Sequence, residues 1–372
     1  MDISVEKKEI QLAIVNPFPY PSAVHRYSSD ISDAFTNSIF VTLGFPNSNI
    51  IKTPKEMLFL PTHFLKNNLC RAIPNYGYGG AINFIKKMNK NNKKNIIHYS
   101  APMKQFKIKN DVFKVVTFHD SPHSLLSDNL FGDHKKTFAM KFFQKYYLYS
   151  FKNFENILAD TESTKHELIR YDNFDENKIT VINPAISSNF FQIKENEHSN
   201  FRMSNLRDEL NLPKDKILIL SVSTMLPRKN LGIINEVMNN LGNGYKLVRV
   251  GKSLSEKDIT FSFVTNETLN KIYNACDVLL FPSFYEGFGY PMVEAFACGL
   301  PVVASDIPVF KEISKGSALL VNPIDPYNIA ESIRLAVKRK KHFSSLGIKR
   351  SRDFSMDTFK IRLENFYKNI TM

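Results

Sequence analysis

The sequence contains little that would cross-link the chain or hold it in a membrane. Only three of its 372 residues are cysteines, Cys70, Cys276 and Cys298, and the last two lie in apolar context. Three thiols give no disulfide framework and favour reduced cysteines in a cytosolic protein. No stretch of about 18 uninterrupted apolar residues occurs, and the first ten residues lack an apolar signal core. We therefore expect a cytoplasmic protein that neither crosses a membrane nor enters the secretory route.

Acidic residues are scarce in one part of the chain. Residues 51–110 hold twelve lysines and arginines but one acid, Glu56, in a chain whose net charge is +13. Such a face suits an anionic membrane surface or a nucleic acid, and a merely solvated face is the third reading. The stretch 135–152 interleaves seven aromatic residues with five lysines, which suits an interfacial helix or a core helix with a basic outer stripe.

Length and patterning predict a two-domain α/β protein. A hydrophobic content of 43% is sufficient for two cores, and short apolar runs alternate with helical patterns in both halves. The polar stretch 192–200 is the best candidate linker. We predict domains over residues 1–190 and 201–355, followed by a helix within 356–372. The predicted strands span residues 11–15, 39–43, 57–60, 95–98, 112–118, 157–159, 179–182, 216–222 and 277–281.

The segment 281–313 is centred on two glutamates, Glu286 and Glu294, eight positions apart. A buried strand is predicted just before it, and Pro291 suits the first turn of a helix that follows. Glu286 therefore falls in a loop, and Glu294 about one turn into the helix. Glycines at such a junction let the backbone approach a ligand, and a helix N-terminus offers N–H groups to an anion.

The chemistry of this segment points to a nucleotide sugar. A diphosphate fits the helix N-terminus, whereas two carboxylates would repel phosphate and more readily accept hydrogen bonds from sugar hydroxyls. The alternative is that Glu286 only caps the turn while Glu294 is a solvated helix residue. Upstream, a predicted strand is followed by Arg228 and Lys229, which could neutralise a leaving diphosphate or be ordinary surface cations.

These residues resemble the retaining glycosyltransferases of family four, which have the GT-B fold of two Rossmann-like domains facing a cleft. The resemblance rests on the spacing of Glu286 and Glu294 and on the sequence Gly-Phe-Gly-Tyr-Pro over 287–291. It extends to later landmarks, namely Ala295, Gly299, Pro301, Val302, Val303, Ala304, Glu312, Leu320, Asn322, Pro323 and Asp325. The sequence Pro-Arg-Lys-Asn over 227–230 is similar to the mannosyltransferase branch of the family. The helix within 356–372 is then expected to pack back on the first domain.

The resemblance also implies roles for individual residues. Glu294 would hold the donor ribose, Glu286 would meet the transferred sugar, and the Gly-Phe-Gly backbone would line sugar and phosphate. The predicted catalytic residues are Glu286, His119, Lys229 and Arg228. The predicted donor-binding residues are Glu294, Gly287, Phe288, Gly289, Tyr290, Thr224 and Asp120.

His119 and Asp120 follow a predicted strand in the first half. An imidazole there can exchange hydrogen bonds with a sugar hydroxyl near neutral pH, and the resemblance places His119 at the donor sugar, with Asp120 orienting it. His119, Asp120 and His123 could instead be metal ligands, although no second cluster supports a metal site. A purely structural His119 is also open. His98 and Ser100 end the preceding predicted strand, where they line either the cleft or the core.

The implied reaction is transfer of a hexose, with retention at the anomeric carbon, to a glycan or lipid-linked acceptor at the cytoplasmic membrane surface. Positively charged groups around the β-phosphate would stabilise the negative charge that develops on the leaving diphosphate. No cofactor or metal is therefore expected. GDP-mannose is favoured as donor over UDP-glucose or UDP-N-acetylglucosamine. The alternatives are an epimerase or hydrolase of the same fold, and a basic nucleic-acid-binding protein, which is not favoured because no nucleic-acid motif is recognisable.

Overall fold

The computed structural model describes residues 10–16, 23–35, 39–43, 57–60, 94–102, 112–125, 153–193 and 203–372. These form two compact units. The first contains the described residues up to 123 together with 153–185 and 356–372, and the second contains 124–125, 186–193 and 203–355. Residues 186–190, assigned above to the first domain, lie in the second unit because Ile186 and Phe190 are buried in its core. The stretch 135–152 and most of the basic stretch 51–110 lie outside the described residues.

The first unit contains a parallel sheet with helices packed against it. Its described strands are β1 (Ile10–Asn16), β2 (Ile39–Leu43), β3 (Met57–Leu60), β4 (Lys94–Tyr99), β5 (Val112–Phe118), β6 (Asn156–Ala159) and β7 (Ile179–Val181). They are ordered β3-β2-β1-β4-β5-β6-β7. Its described helices are α1 (Ala23–Ala34), α2 (Pro122–Leu125, whose first two residues belong to this unit and whose last two belong to the second), α3 (Glu162–Arg170) and, at the end of the chain, Met356–Thr371.

The second unit repeats this design. Its strands are β8 (Ile217–Val222), β9 (Tyr245–Val250), β10 (Ile259–Phe261), β11 (Val278–Phe281), β12 (Val302–Ser305) and β13 (Leu319–Val321), ordered β10-β9-β8-β11-β12-β13 with all pairs parallel. Its helices are α4 (Met203–Glu209), α5 (Ile233–Leu241), α6 (Asn266–Ala275), α7 (Tyr290–Ala297), α8 (Pro308–Ser314), α9 (Pro326–Lys338) and α10 (Lys340–Ser351). The final helix, Met356–Thr371, is therefore α11.

The nine predicted strands match β1 to β8 and β11 within two residues at each end, whereas β9, β10, β12 and β13 were not predicted individually. The reason is visible in β11, whose four residues Val278–Phe281 are all buried. A strand of a parallel sheet with helices on both faces has no solvated side, so its sequence is continuously apolar. Two separate core clusters of the second unit, one containing Phe281 and the other Leu280, lie on opposite faces of the sheet.

Helix α11 supplies part of the core of the first unit. Phe359, Leu363 and Phe366 recur at helical spacing and are buried there beside Leu12 and Ile96. The apolar stripe of α11 therefore faces the sheet of the first unit, although the preceding helix α10 belongs to the second unit.

Candidate functional site

In the second unit, strand order reverses between β8 and β11, which are adjacent in the sheet but separated by two strands in the chain. The connections leaving these two strands must run to opposite sides, so a crevice opens at their carboxyl ends, where doubly wound sheets bind ligands. The loop after β8 carries Arg228 and Lys229, and the loop after β11 carries Glu286. The fold thus brings these three predicted residues to one place.

Glu286 is the centre of an ion cluster, defined here as Glu286, Arg228, Lys229 and Ser283. Lys229 Nζ lies 2.5 Å from Glu286 Oε1, and Arg228 Nη1 lies 3.1 Å from Oε2. Ser283 Oγ also donates to Oε1, at 2.8 Å. The Glu286 side chain is only 8% exposed. Two cations face one carboxylate, so the cluster carries a net positive charge that can attract an anion.

The two loops are also joined through their backbones. Phe284 N donates to Arg228 O at 2.8 Å, and Arg228 Nη1 donates to Tyr285 O at 3.0 Å. Lys229 ends a short 3₁₀ turn, Pro227–Lys229, that is closed by Asn230 in the left-handed region at φ 51°. The backbone that carries the two cations is therefore fixed against the loop after β11. Thr224, assigned above to donor binding, is exposed in the same loop.

Gly289 begins helix α7 in a conformation that other residues rarely adopt. Its φ is +99°, and a Cβ at this position would lie 2.9 Å from Cε1 of Phe310. Pro291 occupies the first turn of the helix, as its fixed φ allows. The side chain of Phe288 points into the core, against Tyr290 and Phe354. Phe288 can therefore contribute to ligand binding through its backbone, which is the role that the resemblance implies.

Glu294 is buried in α7, with 3% of its surface exposed. Tyr273, on helix α6, donates its hydroxyl to Glu294 Oε2 at 2.8 Å. Sequence reasoning missed Tyr273, because it lies 21 positions before Glu294 in a helix with no recognisable motif. Burial of a carboxylate is costly unless it is hydrogen-bonded, and Tyr273 supplies one such bond while it fixes the direction of the carboxylate.

In the first unit, polar residues gather at the carboxyl ends of consecutive strands. His119 follows β5, Asp160 follows β6, Ser100 follows β4, and Asn183 lies just beyond β7. His119 Nδ1 lies 2.7 Å from Asp160 Oδ2, and Nε2 lies 2.7 Å from the backbone oxygen of Ser100. Asn183 donates to the backbone oxygen of Asp160. Asp160, which sequence reasoning missed, therefore forms an orienting bond to His119, and the role given above to Asp120 stays a prediction.

Both ring nitrogens of His119 face acceptors, so the protonated imidazolium satisfies both bonds. Burial alone would lower the pKa of His119, but the charge and hydrogen bond of Asp160 and the Ser100 carbonyl raise it above its ordinary value. Asp120 contributes to the rise more weakly. For Nε2 to reach a sugar hydroxyl, it must first leave Ser100. The predicted sugar contact of His119 stays a prediction.

His98 is a core residue, which resolves the choice left open by the sequence. It is fully buried between the Tyr367 hydroxyl of α11, 2.5 Å from Nδ1, and Thr117 Oγ1, 2.7 Å from Nε2. Tyr27 reaches Thr117 Oγ1 at 3.1 Å and contacts the edge of the His119 ring. Burial lowers the pKa of His98 to about 3, so His98 is neutral and links α11 to the strand that carries His119.

His123, considered above as a metal ligand, stacks on Tyr171 with ring centroids 4.6 Å apart. Within the described ranges, no group of three or more histidine, cysteine or acidic side chains could hold a metal ion. Among the helices that the structure describes, none has the length and apolar content needed to span a bilayer.

The sequence pattern of the family described as "Glycosyl transferases group 1" matches residues 203–351. Residues 203–351 belong to this family. The matched stretch contains the loop with Arg228 and Lys229, the Glu286 cluster and Glu294, so the predicted resemblance is confirmed for the glycosyltransferase domain that carries the candidate site.

Two curated proteins are similar to part of this chain. The serotype-specific mannosyltransferase WbdA of Escherichia coli is 27% identical over 252 residues, which are 60% of this chain and 30% of WbdA. The O-antigen chain mannosyltransferase RfbU of Salmonella typhimurium is 30% identical over 201 residues, 50% of this chain and 52% of RfbU. The match therefore spans 30% of the length of WbdA and 52% of the length of RfbU.

The fold itself extends over nearly the whole chain. The structure of Anabaena HepE in complex with UDP and glucose superposes with a TM-score of 0.70 at 13% identity, covering 97% of this chain and 100% of HepE. The predicted GT-B fold is thereby confirmed.

Proposed function

We propose that the protein is a retaining hexosyltransferase that uses a nucleotide diphosphate sugar as donor. The observation that carries this proposal is the ion cluster in which Glu286 meets Arg228 and Lys229 at the switch point of the second sheet. The cluster offers two cations to a leaving diphosphate and one carboxylate to a sugar hydroxyl. Glu294, held by Tyr273, is proposed to bind the ribose that every candidate donor shares.

The proposed catalysis is electrostatic. When the bond between the anomeric carbon and the β-phosphate oxygen breaks, negative charge develops on the diphosphate. Arg228, Lys229 and the N–H groups at the start of α7 would stabilise that charge, a contribution of about 3 kcal/mol or more for a preorganised donor. In a retaining reaction the leaving oxygen accepts the acceptor proton on the same face of the sugar. The two cations provide this charge stabilisation, so the proposal includes no cofactor or metal.

We propose mannose as the transferred hexose and GDP-mannose as the donor. This is supported by the Pro-Arg-Lys-Asn loop and by the names of WbdA and RfbU, which are mannosyltransferases. A UDP-sugar is the alternative, because HepE, which shares the fold, was captured with UDP and glucose. The acceptor is proposed to be a glycan or a lipid-linked glycan. We further propose that the basic stretch 51–110 holds the enzyme on an anionic membrane surface.

A thermal-shift panel tests the donor assignment. The protein would be heated with GDP, GDP-mannose, UDP, UDP-glucose and UDP-N-acetylglucosamine, because a ligand at a hundred times its Kd stabilises the folded state by about 2.7 kcal/mol. We expect GDP and GDP-mannose to raise Tm and the UDP compounds to have little effect. A rise in Tm with the UDP compounds alone would identify a UDP-sugar, rather than GDP-mannose, as the donor. No response to any compound would contradict the transferase proposal. Retention would be read from the anomeric configuration of the product by NMR.

A further inference from the structure

Arg249 is the largest fully buried side chain among the described residues, with no exposed surface. It lies one residue before the end of β9, opposite Ser221 of β8. Arginine is rarely buried completely, and a buried charge costs stability unless it is paired. An apolar side chain could be buried at this position without the cost of burying a charge. Packing alone therefore does not explain why an arginine is present.

Every hydrogen-bond acceptor of Arg249 is neutral, and together they join two loops. Nη1 donates to Ser221 Oγ at 2.8 Å and to Ser223 Oγ at 3.2 Å, and Nη2 donates to the backbone oxygen of Ser223 at 3.1 Å. Weaker contacts, at 3.4 Å, reach the backbone oxygen of Lys252 from Nε and Nη2. The planar guanidinium therefore spans the loop after β8 and the loop after β9.

No described carboxylate forms an ion pair with Arg249. Asp258 is the acid that affects it, opposing the fall in the pKa of Arg249 that burial causes. The Asp258 carboxylate is itself occupied by the backbone N–H groups of Leu254 and Ser255, each at 2.9 Å. Arg249 thus keeps its charge without a partner of opposite sign at contact distance.

The same two loops approach each other closely at Gly251. Its φ is +131°, and a Cβ on this residue would lie 2.3 Å from the backbone oxygen of Ser223. Ser223 N also donates to Val250 O at 3.1 Å. Ser223 is therefore fixed from the β9 side by backbone and by Arg249, at the start of the loop that leads to Arg228 and Lys229.

We propose that Arg249 is a positioning residue for the donor diphosphate, because it fixes Ser223 and thereby the loop that presents Arg228 and Lys229. This inference rests on the proposed function. The far end of the loop is fixed by Phe284 N at Arg228 O and by the Glu286 cluster. Arg249 supplies the matching restraint at the near end. A lysine cannot replace it, because an ammonium group lacks the fork of donors that spans both loops.

The test compares the native protein with Arg249→Met and Arg249→Lys by isothermal titration calorimetry with GDP and UDP. Competition NMR with guanosine and uridine reports binding without phosphates. For whichever diphosphate the native protein binds, we expect both variants to lose affinity about tenfold or more, while nucleoside affinity changes less than about twofold. If Arg249 served stability alone, the ratio of diphosphate affinity to nucleoside affinity would be the same in the variants as in the native protein.

Arg207→Met is the matched control. Arg207 is also a largely buried arginine of the second unit, but it pairs with Asp277 at the start of β11, the opposite end of the sheet. Its loss should lower the unfolding midpoint without changing diphosphate affinity. Ser223→Ala, which removes one acceptor without touching the arginine, serves if Arg249→Met does not fold, and should weaken the diphosphate about threefold.

Three outcomes separate this inference from the proposed function. If the native protein binds neither diphosphate, the proposed function fails. If it binds one of them and Arg249→Lys and Ser223→Ala bind it as tightly, the inference alone is overturned. Equal losses of nucleoside and diphosphate affinity would likewise show that Arg249 acts on the unit as a whole.

Discussion

The amine of Lys229 lies 2.5 Å from Glu286 Oε1, although the two residues are 57 positions apart in the chain. Lys229, which is expected to stabilise a phosphate, is thus already bound to Glu286, which is expected to contact the sugar. Arg228 is bound to the same carboxylate. Under the proposed function, a donor diphosphate would compete with Glu286 for these cations, and the binding of sugar and of phosphate would be coupled at this point.

Removing the Glu286 charge should leave diphosphate binding intact or strengthen it while transfer is lost. In Glu286→Gln the two cations are no longer neutralised by a carboxylate, and one hydrogen bond to a charged group is worth about 1.5–3 kcal/mol, or about tenfold or more in Kd. The measurement is the Kd of the nucleoside diphosphate, with the transfer rate in parallel. Glu236→Gln changes the same charge at an exposed position of α5 and should alter neither. Tenfold weaker binding in Glu286→Gln would contradict the competition.

Glu294 and Tyr273 should act on the nucleotide part of the donor. Glu294→Ala removes a buried hydrogen-bonding group, which costs about 1–3 kcal/mol and should raise the Kd of free diphosphate and of donor alike by about 5- to 150-fold. Tyr273→Phe leaves the carboxylate in place and should weaken binding by less than about tenfold. Glu267→Ala, an exposed acid on the helix that carries Tyr273, is the control. Loss of donor affinity without loss of diphosphate affinity would show that Glu294 contacts the transferred sugar rather than the ribose.

Sequence reasoning found residues that stand beside a motif and missed those that act across the fold. Glu286, Glu294, Arg228 and Lys229 were predicted because glycine, proline and strand patterns surround them. Asp160 follows a strand that was predicted, so its position at the sheet edge was a usable signal that was not applied. Tyr273 and Arg249 had no local signal, because a tyrosine within a helix or an arginine within a strand gains its role only from a distant partner.

The interaction between His119 and Asp160 should be detectable as a raised pKa of His119 in a pH titration. The pKa of His119 is raised, chiefly through the charge and hydrogen bond of Asp160 acting against burial. The imidazolium therefore stabilises the fold fully below about pH 6.5, the ordinary histidine value, and this contribution is lost as pH rises through the folded pKa. NMR of the ring protons should give a pKa above 6.5 in the native protein, lower in Asp160→Asn.

The variant Asp120→Asn is the control for that titration, since Asp120 raises the pKa of His119 only as the weakest of several influences. We expect it to lower the pKa less than Asp160→Asn does. If Asp120→Asn has the larger effect, the orienting role returns to Asp120. If His119 titrates below 6.5 in the native protein, burial outweighs Asp160.

The start of α7 should tolerate no side chain at position 289. Gly289→Ala must place a Cβ 2.9 Å from Phe310 while holding φ at +99°, and the left-handed conformation alone costs about 1–2 kcal/mol. Gly316→Ala is a close control, because its φ is +85° and no atom lies within 4 Å of its Cβ position. Urea unfolding should show a larger loss of stability for Gly289→Ala, accompanied by weaker diphosphate binding. Equal losses would assign the whole effect to backbone strain.

The basic stretch 51–110 should bind an anionic membrane surface. Twelve cations against one acid should draw the protein to anionic lipid, each cation near the surface contributing about 1 kcal/mol. Changing Lys86, Lys87, Lys90, Lys93 and Lys94 to glutamate should abolish sedimentation with phosphatidylserine vesicles. High salt should release the native protein, because the Debye length falls to about 3 Å at 1 M. Diphosphate affinity should be unchanged, since the Glu286 cluster lies in the second unit. A native protein that ignores these vesicles at low salt would have a solvated basic face, and a soluble acceptor would then replace the lipid-linked one.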